Sequence, residues 1–338
     1  MLLAGDIGGT KTILALYSLD AGPHKGPLHR QLFASEHYAS LEEILMAFFR
    51  ETGEIRPVMA SFGVAGPIEE SRGNRAQVTN LPWSIDTDRL RHLIPQILLN
   101  NDQAAFALAI PHLTGDDLVT LNHGDPSPTG NKAVIAPGTG LGVAFLVWTG
   151  DEYKVCASEG GHIAFSSQTP QQIELCNYLQ RRYGHVSFER VCSGRYLPGI
   201  YDFFVEACGL SEPAWLKKEL AAAKDRTPII VETGLACKAE ICETTLDMFV
   251  LSLGTFISNM AVTLLPFGGI YLGGGIPPRI IDRLRRPDFL GSITNKGRFQ
   301  GICQKMPVHI VTRPDTALFG AACAGFNALS KPDIAAKN

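Results

Sequence analysis

No run of basic residues, and no interleaving of basic with aromatic side chains, occurs anywhere in the 338 residues. That excludes the electrostatic footprint of a nucleic-acid binder. Charged residues of both signs amount to only 19%, and the formal net charge is -3, so bulk charge recruits no partner. Paired cysteines are also missing. The 8 cysteines stand singly at 156, 176, 192, 208, 237, 242, 303 and 323, with no Cys-x-x-Cys. This argues against a zinc ribbon and a disulfide framework, and for reduced thiols in the cytoplasm. The lysine-bearing phosphate loop of the Walker type is absent. Long apolar runs are scarce. One uncharged stretch, 248–267, has the length to span a bilayer. It carries Ser252, Thr255, Ser258, Asn259 and Thr263, and its nearest basic residues are Lys238 and Arg279. A helix buried in a large domain is the expected reading, with no membrane partner. No signal peptide is expected either, because Met1 is followed at once by Leu2, Leu3 and then Asp6.

What is present is an ordinary globular composition, 45% hydrophobic, in a chain long enough for two domains. An apolar strand runs into Gly5-Asp6-Ile7-Gly8-Gly9-Thr10, and a second apolar run, Ile13-Leu14-Ala15-Leu16, follows. Paired glycines let the backbone turn sharply and approach a bound group, and their amides with a threonine hydroxyl suit a phosphate. A glycine turn between two strands is equally often plain structure. A Rossmann fingerprint would need a helix where this sequence has a strand. The same theme returns at Ala133-Val134-Ile135-Ala136, Pro137-Gly138-Thr139-Gly140 and the apolar run 142–147. Two such hairpins suggest a duplicated fold with a nucleotide in the cleft between its halves. A third glycine cluster, Gly273-Gly274-Gly275, ends a short strand at Ile270-Tyr271-Leu272. There a planar ring or a ribose can lie against backbone.

Between these elements, Ser40 and Glu43 form a capping box for a helix with Leu41, Ile44, Leu45, Phe48 and Phe49 on one face. Strands are predicted at 58–64 and 97–99, the second ending in Asn100-Asn101-Asp102. Polar groups at the carboxyl end of a strand in an open α/β sheet are where ligands usually bind. Thr227 is predicted to cap a helix with Pro228 at its first position. Asp315 or Thr316 is predicted to cap a last helix whose small face, Gly320, Ala321 and Ala324, packs on the first sheet.

Three glycine-rich elements in this order resemble the nucleotide fold of the hexokinase, actin and Hsp70 superfamily. Asn101-Asp102, Gly138-Thr139-Gly140-Leu141-Gly142, Glu159-Gly160-Gly161-His162 and the string from Gly184 through Phe188-Glu189-Arg190 to Gly194 narrow it. Together they resemble the bacterial glucokinases of the non-ROK branch, over most of the chain. The cysteine-rich zinc motif of the ROK branch is missing, so no structural zinc is expected. Lys11 stands where the family often has Asn, and Gln103 where an apolar or aromatic residue is usual.

The resemblance implies an α/β, two-domain actin-like (ribonuclease H-like) fold with the ligand cleft between domains. The small domain would comprise 1–112 plus 315–338 and the large domain 113–314. It implies ATP-dependent phosphorylation of D-glucose to glucose 6-phosphate, the first step of glycolysis, in a cytoplasmic homodimer. ATP and Mg2+ would be held by Gly5, Asp6, Ile7, Gly8, Gly9 and Thr10, by Gly138, Thr139 and Gly140, and by Gly274 and Gly275. Asp6 would order the magnesium through water, with no direct protein ligand. Asn101, Asp102, Glu159, His162 and Glu189 would bind glucose, with Asp102 as general base. The residues alone leave alternatives. Asp102 suits a helix N-cap and Asn101 a turn. Glu159 and His162 suit a surface carboxylate and a satisfied loop histidine. Glu189 suits the first turn of a helix capped by Ser187. A kinase for another hexose or an N-acetyl sugar, and a non-catalytic sugar sensor, are the rival functions.

Overall fold

The computed structural model describes residues 1–53, 55–69 and 74–331. The chain divides into two compact units, Met1–Thr114 with Arg313–Asn338, and Gly115–Thr312. Residues 332–338 of the expected small domain lie outside the described residues.

Among the described residues of the first unit the strands are β1 (Leu2–Ile7), β2 (Lys11–Tyr17), β3 (His29–Ala34), β4 (Met59–Val64), β5 (Arg75–Gln77), β6 (Ser84–Asp86) and β7 (Gln96–Asn101). The main sheet runs β3-β2-β1-β4-β7, while β5 and β6 pair as a separate ribbon. β3, β2 and β1 are antiparallel, and β1, β4 and β7 are parallel. Side chains along a strand alternate between faces. Leu3 and Ile7 accordingly join one core with Ile44, Leu45 and Phe48 of helix α1 (Leu41–Glu51). Leu2 and Ala4 join another with Leu318, Ala321 and Ala322 of the last helix, Thr316–Ser330. Asp6 shares the parity of Leu2 and Ala4, so the sequence period alone aims it at the last-helix side.

The cap predicted for α1 is present. Ser40 Oγ accepts the Glu43 amide at 3.3 Å, and the Glu43 carboxylate accepts the amide of Ala39, one residue before the cap, at 2.9 Å. The small face of the last helix divides its contacts. Ala321 packs on the sheet. Gly320 instead lies against the backbone of helix α2 (Asp102–Ala109), where a side chain would collide with the Ala105 carbonyl.

The second unit repeats the plan. Its strands are β8 (Leu118–Asn122), β9 (Lys132–Pro137), β10 (Leu141–Trp148), β11 (Tyr153–Ser158), β12 (Ile270–Leu272) and β13 (Val308–Val311), ordered β11-β10-β9-β12-β13-β8. Again three antiparallel strands lead into parallel ones, β9, β12 and β13, with β8 antiparallel at the edge. This doubled sheet pattern is the one expected of the actin-like ATPases. Three helices matter below: α3 (Glu189–Cys192), α4 (Thr227–Leu235) and α5 (Glu240–Leu264). α5 is long and apolar enough to cross a membrane, yet 72% of its most apolar window is buried within the protein. Phe249, Leu253, Phe256 and Ile257 are fully enclosed in the large core of this unit. The apolar stretch 248–267 is thus a core helix, starting earlier than its uncharged part because Glu240 and Glu243 occupy the first turn.

Three predicted caps are corrected. Thr227 is the first helical residue of α4 rather than its cap. Its amide is accepted by the Asp225 carboxylate at 2.9 Å, and its hydroxyl donates to the Gly194 carbonyl at 2.7 Å. Ser187 is buried and does not cap α3, whose N-cap position is Phe188. Asp315 stands at the N-cap position of the last helix, but its carboxylate pairs with Arg30 at 3.0 Å, while the Thr316 hydroxyl donates to the Arg313 carbonyl. At Thr227 and at Asp315–Thr316, a nearby guanidinium or carbonyl outcompetes the amide the short side chain would have capped.

Candidate active site

The β1–β2 turn of the first unit is arranged with its carbonyls turned inward. Gly8 O accepts the Ser35 hydroxyl at 2.7 Å, and Thr10 O accepts the Ser35 amide at 3.0 Å. The Gly8 amide closes the turn on the Lys11 carbonyl at 3.0 Å. Ser35 is itself anchored to the buried Thr12 hydroxyl at 3.0 Å. The amides of Gly9 and Thr10 are left with no acceptor among the described residues. Two consecutive unpaired N–H groups make an anion-binding concavity. Gly5 and Ile7 lie inside β1, paired on both sides, with the Ile7 side chain in the core. They hold the turn rather than present groups to a ligand.

Asp6 stands between β2 and β4, level with Ile13 and Gly63. Burial pushes its carboxyl up to about 6, and the Asp102 carboxylate adds to this, while Lys11 pulls the other way. A largely buried carboxyl beside another acid is a group short of positive charge. It fits a hydrated divalent cation, which would neutralise it through water. Lys11, the departure from the family's Asn, partly supplies that charge already.

Asn101 and Asp102 sit at the junction of β7 and α2. The structure makes Asn101 the cap, not Asp102. Asn101 Oδ1 accepts the Gln103 amide at 3.0 Å, and its Nδ2 donates to the Gly66 carbonyl at 3.1 Å. Asp102 is the first helical residue and also accepts the Gln103 amide, at 2.9 Å. Gly63 lets α2 come in close, since a side chain there would meet the Ala105 methyl at 2.7 Å. Gln103, the second departure, keeps its side-chain oxygen buried without a hydrogen-bond partner among the described residues.

In the second unit the β9–β10 turn repeats the first. The Gly138 amide donates to Gly140 O at 2.9 Å. The turn's outer carbonyls are taken by one neighbouring segment: Gly194 N–H donates to Gly138 O at 2.8 Å and Arg195 N–H to Thr139 O at 3.2 Å. The amides of Thr139 and Gly140 have no acceptor among the described residues. Glu189 closes the far side, its Oε2 accepting the Leu141 amide at 3.0 Å.

Glu159 precedes, and His162 ends, a single turn of 3-10 helix, Gly160–His162. Their side chains are 93% and 59% exposed and approach to 3.9 Å. This turn also leans on Leu141, because a side chain at Gly161 would strike the Leu141 carbonyl. Residues 163–165 pair with 186–188 through Phe165 N–H to Val186 O and Phe188 N–H to Ile163 O. Glu159, His162 and Glu189, thirty positions apart, are thereby tied to one strand end.

Beside the turn lies a cavity of about 830 Å³, lined by Gly138, Thr139, Gly275 and residues that no sequence motif assigned to a ligand. Among these are the apolar Val231, Leu235 and Ile276, the cationic Arg195, Lys224 and Arg279, and the acidic Asp225 and Glu232. Gly274 precedes the lining Gly275 and packs on the backbone of β9. Its φ is +77°, and a side chain there would strike the Pro137 carbonyl, so only glycine fits. Apolar walls, with three cations against two carboxylates on the rim, suit a planar ring bearing phosphates. α4 carries no glycine motif, so only its packing beside the turn reveals it. Among the described residues no three His, Cys, Asp or Glu side chains gather as a metal site.

Residues 3–328 match the profile of the glucokinase family. The chain belongs to the glucokinase family. A glucokinase of Nostoc punctiforme is 35% identical over 339 residues, covering 96% of this chain and 98% of its own. The crystal structure of a glucokinase from an Antarctic psychrotroph superposes with a TM-score of 0.84 at 30% identity, covering 96% of this chain and 98% of that one. A ROK-family glucokinase from Streptomyces griseus, solved with glucose and AMPPNP, shares the fold, with a TM-score of 0.61 at 18% identity and coverage of 96% and 99%. The bacterial glucokinase resemblance and the actin-like fold read from the glycine motifs are both borne out.

Proposed function

We propose that this glucokinase-family chain transfers the γ-phosphoryl group of ATP to the 6-hydroxyl of D-glucose, with Asp102 as general base. Family membership supports the reaction. The observation that carries the residue roles is the repeated turn, in each unit with two adjacent amides left open. Gly8, Gly9 and Thr10 in one unit, and Gly138, Thr139 and Gly140 in the other, would hold phosphate oxygens. The cavity beside Gly274 and Gly275 would take the adenosine, with Val231 and Leu235 against the ring. A complex with AMPPNP is known for the Streptomyces griseus relative.

Asp102 would orient the glucose hydroxyl and accept its proton late in transfer, since the loose transition state asks mainly for positioning and charge. Asn101, Glu159, His162 and Glu189 would take the remaining sugar hydroxyls. A bound magnesium ion would supply neutralisation of the developing phosphate charge, ordered by Asp6 through water. The eight free thiols suit a reducing, cytoplasmic setting. A homodimer is proposed on the common symmetry of such enzymes, and mass by light scattering tests it.

The deciding experiment is coupled-assay kinetics of wild type and Asp102→Ala. kcat is expected to fall by about a hundredfold or more, with AMPPNP binding retained. A rate near wild type would refute the base. A panel of hexoses and N-acetyl sugars tests the glucose assignment, which would fail on a larger kcat/KM for another sugar.

A further inference from the structure

Glu189 faces two ways. Its place in the proposed sugar set rests on the family string around it, yet its carboxylate is spent in part on the other substrate's turn. Oε2 accepts the Leu141 amide, the first N–H after the glycine turn, at 3.0 Å. The same oxygen stands 2.7 Å from where a side chain at Gly140 would begin. Five residues on, the same segment supplies the Gly194 and Arg195 amides to the turn's carbonyls. The turn is therefore held on both flanks by 189–195. Without the carboxylate, the Leu141 N–H loses its partner and Gly140 loses the surface it rests on. Glycine at 140 has no stiffness of its own to compensate.

We infer that Glu189 is a positioning residue of the nucleotide site. Its carboxylate fixes the 138–140 turn with the Thr139 and Gly140 amides facing the phosphates. Charge-assisted hydrogen bonds to a carboxylate are strong and directional. The turn is consequently formed before nucleotide arrives, and a ligand touching the other carboxylate oxygen would stiffen it further. Any such coupling is reciprocal between the two substrates. This rests on the reading of 138–140 as a nucleotide turn.

The test is the affinity of magnesium AMPPNP in the absence of sugar, for wild type, Glu189→Ala, Glu189→Gln, Gly140→Ala and Thr139→Trp. Glu189→Ala is expected to weaken binding by about tenfold. Glu189→Gln should stay within about threefold of wild type, because its amide oxygen still accepts the Leu141 N–H. A residue acting only on sugar would leave all these values unchanged. Gly140→Ala should weaken binding by about tenfold through collision with the carboxylate, and it carries the test should Glu189→Ala not fold. Wild-type affinity in both Glu189→Ala and Gly140→Ala, or in the latter alone where the former is unfolded, overturns the inference. Thr139→Trp separates the two readings. If it abolishes binding while Glu189→Ala does not weaken it, the positioning role fails and the nucleotide turn stands. If it binds as wild type, the nucleotide turn itself fails.

Discussion

At the scale of single residues, Asp6 shows what a site of this kind costs the folded chain. Its carboxyl is raised from 3.8 to about 6, by burial first and by Asp102 second. The folded state thus holds a proton that the unfolded state has released, over the interval between those values. Stability linked to Asp6 is full below about pH 3.8 and is lost as pH rises through 6. Asp6→Asn is therefore expected to raise the free protein's stability at pH 7.5, by up to about 3 kcal/mol, and to abolish turnover. Urea titrations at pH 5 and 7.5 would show a gain about twice as large at the higher pH, because the unfolded carboxyl is already mostly ionised at pH 5. An equal gain at both values would mean that ionisation is not the cause. The carboxylate itself was legible, at a strand end before two glycines. Its partner was not, because Asp102 lies on α2 and reaches Asp6's surroundings only through the parallel pairing of β1, β4 and β7.

At the scale of elements, periodicity and capping chemistry read well where the helper groups are local. The α1 cap is such a case: Ser40 and Glu43 act within one turn. Ser40→Ala should lower stability by about 1 kcal/mol while leaving kcat and KM unchanged, as urea unfolding and a coupled assay would show. Caps whose competitors come from elsewhere were misread. Arg30 draws away the Asp315 carboxylate, and the Gly66 carbonyl holds Asn101 in the cap position of α2, leaving Asp102 as the first helical residue. The glycine triplet was recognised by composition, but its requirement is tertiary. Gly274→Ala should lose about 1–3 kcal/mol of stability through its left-handed backbone. It should also weaken AMPPNP by pushing on the Pro137 carbonyl at the foot of the turn. Unchanged melting and binding would show that the loop can relax away from β9.

At the scale of the whole molecule, each unit encloses its own core around the same sheet plan. α5 is the spine of the second unit. Leu253→Ala on this helix should cost about 2–5 kcal/mol, read as a lower urea midpoint, with AMPPNP affinity near wild type in the protein that remains folded. A negligible shift would mean that α5 is loosely packed. The sequence by itself determined the duplicated hairpins and the α/β class. These depend on local turns, on the two-residue period of strands and on short motifs. Tertiary structure alone decided that Leu141 joins Glu189 to the glycine turn, that 194–195 occupy the turn's carbonyls, and that α4 walls the cavity. Each is a hydrogen bond or contact between segments tens of residues apart, and no local pattern encodes which distant partner a free amide or carbonyl will find.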